Sequence, residues 1–160
     1  MIVVSNTSPI TNLSKINALS LLQKIYGEIF IPSAVFYEIT THKSPGTQEV
    51  QTLEWIEYKN VADKNFSASL EKYLDKGESE AIALAVELKA DLIIIDENKG
   101  RQTAKDFDLN IIGTLGILLK AKSMNLIDNV KTYMDDLLSQ AGFWIDNKTY
   151  DLLLKLANEK

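Results

Sequence analysis

Short apolar runs alternate along the chain with longer segments of helical period. Residues 2–5 (Ile-Val-Val-Ser), 28–31 (Glu-Ile-Phe-Ile) and 92–95 (Leu-Ile-Ile-Ile) each hold three or four consecutive apolar positions, as strands covered on both faces do. Residues 110–112 form a shorter run of the same kind, and residues 55–61 read as an edge strand. Between them, apolar positions recur at three- and four-residue spacing. They predict helices over residues 8–24, 32–40, 66–74, 78–89, 99–107, 113–124 and 129–139. Ser8 is placed to cap the first of these, with Pro9 at its first helical position. Residues 42–51 are polar and contain the turn signal Ser44-Pro45-Gly46, which predicts a surface loop.

Strands alternating with helices predict an α/β protein with a central parallel sheet. A chain of 160 residues suits one domain, residues 1–160, burying about 70% of its unfolded surface. Residues 141–160 form a helical tail in which Asp146 or Asn147 caps a last helix. Its stripe of Tyr150, Leu153, Leu154 and Ala157 is expected to pack on the chain's own core; the competing use is a surface for a second subunit or an inhibitor helix.

Composition narrows the chemistry. With no cysteine and a single histidine, His42, thiolate sites and paired-imidazole zinc sites are excluded. Any metal site is built from oxygen ligands and suits Mg²⁺ or Mn²⁺. His42 itself, inside a polar run, reads as a solvated loop residue. The net charge of -5 argues against coating nucleic acid with the whole surface, but leaves room for a local groove or a bridging cation. Arg101 is the sole arginine among 17 basic residues, so its planar fork is a pointer to phosphate, though a surface helix position explains it equally. No apolar run is long enough to span a membrane and no leader pattern opens the chain, so a cytoplasmic location without membrane contact is expected.

In open parallel sheets ligands bind beyond the carboxyl ends of the strands. Two polar residues stand there, Asn6 after the first strand and Asp96 after residues 92–95. A turn or cap role accounts for Asp96 as well as a site does. Asp75 and Glu78 have the spacing of a capping box, which gives Glu78 a structural task. Glu80 has none beyond the helix dipole, and Glu38 flanks the apolar stripe of Val35 and Ile39. Three carboxylates converging in one cleft repel one another unless a cation holds them. Metal-assisted hydrolysis of a nucleic acid is the reaction class that such a set serves.

At this point the sequence resembles the PIN-domain ribonucleases of the VapC-like toxin kind, in particular a prokaryotic branch with Asn at the first acidic position. The resemblance runs through Val4-Ser5-Asn6-Thr7-Ser8-Pro9-Ile10, Ile31-Pro32-Ser33-Ala34-Val35 with Glu38, Gly77-Glu78-Ser79-Glu80-Ala81-Ile82-Ala83-Leu84-Ala85, Ile95-Asp96-Glu97-Asn98-Lys99-Gly100-Arg101 and Ile112-Gly113-Thr114-Leu115-Gly116. It implies a three-layer α/β/α PIN-like fold, Mg²⁺- or Mn²⁺-dependent cleavage of RNA, a homodimer and a small antitoxin partner. Carried over by motif, Asn6, Glu38, Glu80 and Asp96 are the catalytic and metal-binding set, with Glu97 as a further metal ligand. Thr7, Ser8, Arg101 and Thr114 would meet substrate, although Thr114 also suits an N-cap. Asn6 departs from the Asp of better-known members and brings no charge, so the alternative implied is an RNA-binding or protein-binding module with little or no activity. An unrelated phosphate-handling enzyme is disfavoured because neither a GxxxxGK[ST] loop nor a GxGxxG fingerprint is present.

Overall fold

The computed structural model describes Met1–Lys160. Five strands, β1 (Val3–Ser5), β2 (Ile29–Pro32), β3 (Ile56–Lys59), β4 (Leu92–Ile94) and β5 (Ile111–Ile112), form one sheet in the order β3-β2-β1-β4-β5, every neighbouring pair parallel. Successive residues serve opposite faces, as strand pleating requires. Val3, Ile29, Ile31 and Ile94 point into the larger apolar core, while Val4, Ile93 and Ile95 point into the smaller one. The strands therefore read as continuous apolar runs because both faces are buried.

Helices fill both faces and complete a three-layer α/β/α fold. Over the larger core lie α1 (Thr7–Lys15), α2 (Ser20–Tyr26), α3 (Ser33–Thr41), α8 (Thr114–Ser123), α9 (Lys131–Gln140) and α10 (Asn147–Leu156). The smaller core is closed by α5 (Lys64–Leu70), α6 (Lys76–Glu87) and α7 (Asn98–Asp106). The central helix is α6, which opens on the expected capping box: Asp75 accepts from the Glu78 N–H, and the Glu78 carboxyl accepts from the Asp75 N–H.

Three expectations change. The helix predicted over residues 8–24 is two helices, because Asn17 adopts a left-handed conformation (φ 55°) that a helix interior does not tolerate. Its first cap is Asn6 and not Ser8, so Thr7 and Ser8 already lie inside α1. The loop predicted over residues 42–51 contains a further short helix, α4 (Thr47–Thr52), stabilised by burial of Val50 and by the Thr47 hydroxyl donating to the Ile39 and Ser44 carbonyls. The bond back to Ile39, eight residues earlier, is not visible in a helical period.

The last helix packs on the core. Leu153, Leu154 and Ala157 are buried, the Tyr150 hydroxyl donates to Asp135, and Glu159 accepts from Lys122 and from the Val130 and Lys131 N–H groups. Leu152, by contrast, is 52% exposed. Leu153→Ala is expected to lower unfolding free energy by about 2–5 kcal/mol and Leu152→Ala by no more than about 0.5 kcal/mol, as read from urea denaturation.

Candidate active site

The chain crosses from β3 on one side to β4 on the other, so the order of strands reverses beside β1. That point, at the carboxyl ends of β1 and β4, is where open α/β sheets hold ligands. Asn6 sits there at the N-cap position of α1, anchored by its N–H donating to the Ile94 carbonyl at 3.0 Å. Its side chain makes no capping bond. It is 3% exposed, and its Oδ1 is buried without a hydrogen-bond partner. An orphaned buried acceptor costs about 1–3 kcal/mol, which bound ligand or cation would recover.

Gly77, in the first turn of α6, brings the other groups to Asn6. A methyl on Gly77 would stand 2.9 Å from Glu38 Oε2, 3.4 Å from Asn6 Oδ1 and 3.5 Å from Thr7 Oγ1. Three oxygens from α1 and α3 thus surround one small space that only a missing side chain leaves open. The Thr7 hydroxyl donates to Glu38 Oε2 at 2.9 Å and orients that carboxylate toward Asn6.

Glu80, on α6, faces the same cleft of about 550 Å³ as Glu38, together with Tyr37, His42, Lys64 and Lys76. Its Oε1 accepts from the Ser33 hydroxyl (2.9 Å) and the Ala34 N–H (3.0 Å), so it caps α3 from a neighbouring helix. Asp96 does the same for α8. Its Oδ1 accepts from the Thr114 N–H at 2.7 Å and its Oδ2 from the Thr114 hydroxyl at 2.6 Å. Arg101 Nη1 donates to the Ile95 carbonyl at 3.3 Å, and a methyl on Gly113 would meet this nitrogen at 2.6 Å and Asp96 Oδ1 at 2.7 Å.

The structure therefore groups the sequence-predicted residues in two sets. Asn6, Thr7 and Glu38 meet at Gly77, with Glu80 in the same cleft. Asp96, Thr114 and Arg101 form the second set, and Asp96 opens into separate grooves of about 520 and 430 Å³, the smaller also lined by Ser8 and Glu97. No three acidic or histidine side chains are gathered as a metal cluster, because Glu80 and Asp96 are turned to helix N-termini. Glu97 is exposed at the N-cap position of α7 and makes no capping bond.

Sequence reasoning did not single out Gly77, Lys64 or Lys76 as lining the cleft; His42, exposed as its polar run predicts, lines it too, four residues on from Glu38. It also missed the state of Glu78. Only 6% exposed, with Oε2 unpartnered, this carboxyl is pushed up to about 7 by burial first and then by its hydrogen bond to Asp75.

Fold and site together define the class: an open parallel α/β protein with carboxylates and an amide brought to the carboxyl edge of its sheet. Within that class the chain belongs to the DUF3368 PIN domain family, whose profile matches residues 2–159. PIN domains are commonly nucleases acting on nucleic acid. Among solved structures the chain is similar to a PilT N-terminus domain protein, SSO1118, from the hyperthermophilic archaeon Sulfolobus solfataricus P2. That likeness has a TM-score of 0.60 and 20% identity, covers 76% of this chain and 93% of that one, and bears on the fold alone. No curated protein matches the sequence. No helix is long and apolar enough to cross a membrane.

Glu78 generates a pH prediction. Its folded pKa of about 7 lies above the ordinary 4.5, so its protonated form is favoured on folding. The stability it contributes is complete below about pH 4.5 and is lost as pH rises through about 7. Glu78→Gln, which can keep the capping box, is expected to flatten the fall in melting temperature between those pH values.

Proposed function

We propose that this chain is a divalent-metal-dependent endoribonuclease, and the toxin of a toxin-antitoxin pair, from a VapC-like branch with Asn at the first acidic position. The observation that carries the metal-dependent reading is the orphaned Oδ1 of Asn6, held beside Glu38 Oε2 at the strand-order reversal. An amide oxygen and a carboxylate fit Mg²⁺ or Mn²⁺, since Mg²⁺ commonly keeps several waters and binds through one or two carboxylates together with substrate phosphate. Asn6 and Glu38 would hold the ion, with Glu80 completing the set on one side and Asp96, with Glu97 beyond it, on the other. When bound, such an ion supplies charge stabilisation at the phosphodiester and a water of lowered pKa.

The protein's own groups prepare the site. Thr7 orients Glu38, Ser33 and Ala34 hold Glu80, and Thr114 holds both oxygens of Asp96. Arg101 makes no ion pair with any carboxylate, so its fork can answer the charge of RNA phosphate. Ser8 lines the smaller groove with Asp96 and suits a contact to substrate. The toxin role, with a small antitoxin and a second copy as partners, rests on the resemblance of the motif strings, and a cytoplasmic location is proposed beside it.

A second reading, an RNA-binding or protein-binding module with little activity, is favoured by one observation. Glu80 and Asp96 are each spent on capping a helix, and Asn6 lacks the charge of Asp. Metal binding separates the two. For the enzyme, Mn²⁺ is expected to raise the melting temperature of the wild type, an effect abolished by Asn6→Ala. Asn6→Asp is expected to lower stability without metal, by repulsion from Glu38, and to enlarge the Mn²⁺ shift.

In cleavage of a structured RNA, Asp96→Asn should lose activity by 100-fold or more, within the range of about 10²–10⁴ ascribed to a single positioned catalytic group. Asn6→Asp should retain or raise it. A wild type that neither shifts with Mn²⁺ nor cleaves, together with an inert Asn6→Asp, leaves the module reading standing.

A further inference from the structure

Both grooves that contain Asp96 are walled by Phe143 and Trp144, on the segment that leads into α10. Trp144 is 79% exposed, an unusual placement for the largest apolar side chain. It does not sit on a loose loop. The Phe143 N–H donates to the Leu137 carbonyl at 3.1 Å, the Phe143 ring packs on the larger core, and Ile145 on the other side is 8% exposed. Inward neighbours on both sides hold the indole out over the groove, so little conformational freedom is lost when something stacks on it.

The rest of the groove states the occupant's chemistry. Part of its lining is apolar, from Ile111, Ile112 and Leu115, while Asn98 and Thr149 carry hydrogen-bonding groups and Arg101 supplies the cation beside Asp96. An aromatic face, an amide, a hydroxyl and an unpaired guanidinium are what a nucleotide uses: a π face for the base, polar groups for its edge, a fork for its phosphate. A duplex hides the faces of its bases, so the substrate is unpaired at this position.

We infer that Trp144 is a stacking platform for one unpaired nucleobase of RNA, flanking the phosphate that the Arg101 guanidinium takes beside Asp96. Trp144 positions the strand and takes no part in bond cleavage. The inference rests on the ribonuclease reading and adds to it the side chain that takes an unpaired base beside the cleavage groove.

Fluorescence tests it on the full chain. Trp55→Phe leaves Trp144 as the only indole, and titration with a short single-stranded oligoribonucleotide in EDTA, where no cleavage intervenes, is expected to quench it. Trp144→Ala should weaken binding about 5- to 150-fold, the range for losing one base stack, while Trp144→Phe restores most of the affinity. Because the indole is exposed, both variants should melt with the wild type. An abasic strand of equal length, which keeps the phosphates, should bind wild type and Trp144→Ala alike.

If the wild type binds or cleaves RNA and Trp144→Ala does so equally, the platform is refuted and the ribonuclease reading survives. A wild type that neither binds nor cleaves refutes both. If Trp144→Ala changes sedimentation from dimer to monomer and leaves RNA affinity unaltered, the indole serves a second copy and the proposal is overturned.

Discussion

Helices that begin at the carboxyl edge of a parallel sheet present unpaired N–H groups there, and this protein answers them with carboxylates from other elements. Glu80 on α6 receives the Ala34 N–H of α3, and Asp96 after β4 receives the Thr114 N–H of α8. Each bond does two things. It satisfies a backbone donor that burial would otherwise leave costly, and it ties separate layers together at the place where the site lies. Acids held in this way cost the fold less than free acids crowded in a cleft, because the helix N-termini offset part of their charge.

The same arrangement divides the acidic set. With Glu80 and Asp96 facing helix ends, the residues that meet most closely are Asn6, Thr7 and Glu38, packed around the space that Gly77 leaves open. An amide in the innermost position is physically coherent there. A carboxylate at Asn6 would be almost fully buried against Glu38 and, without a cation, would face both desolvation and repulsion. The amide oxygen keeps a donor for a hard cation at a smaller cost to the empty fold. In the metal-dependent reading proposed above, the consequence is a weaker attraction for the ion, and a larger share of it falls to Glu38 and Glu80.

Much of the architecture was legible because its cause is local. The apolar runs at 2–5 and 92–95 are buried on both faces and therefore read as strands without alternation, and the Asp75/Glu78 box marked the start of α6. The order of motif strings also pointed to the PIN family before any coordinates, and the family match over residues 2–159 agrees with it. Where local cause was lacking, the reading slipped. Asn17 breaks the first helical region by its backbone conformation, and α4 depends on Thr47 bonding back to Ile39.

By itself the sequence determined the class of fold and, through the absence of cysteine and the single histidine, excluded thiolate and paired-imidazole sites, since these follow from periodicity and composition. Tertiary structure alone decided which of the acids meet. Ser8 was expected to cap the first helix; the structure gives that position to Asn6, whose Oδ1 is left unpartnered and borders, with Glu38, the space at Gly77. It also decided that Glu78 is buried enough to hold its proton near neutral pH, and that Trp144 stands over the Asp96 groove. Those outcomes depend on distances between residues far apart in the chain, and such distances are set by how three layers pack rather than by any local pattern.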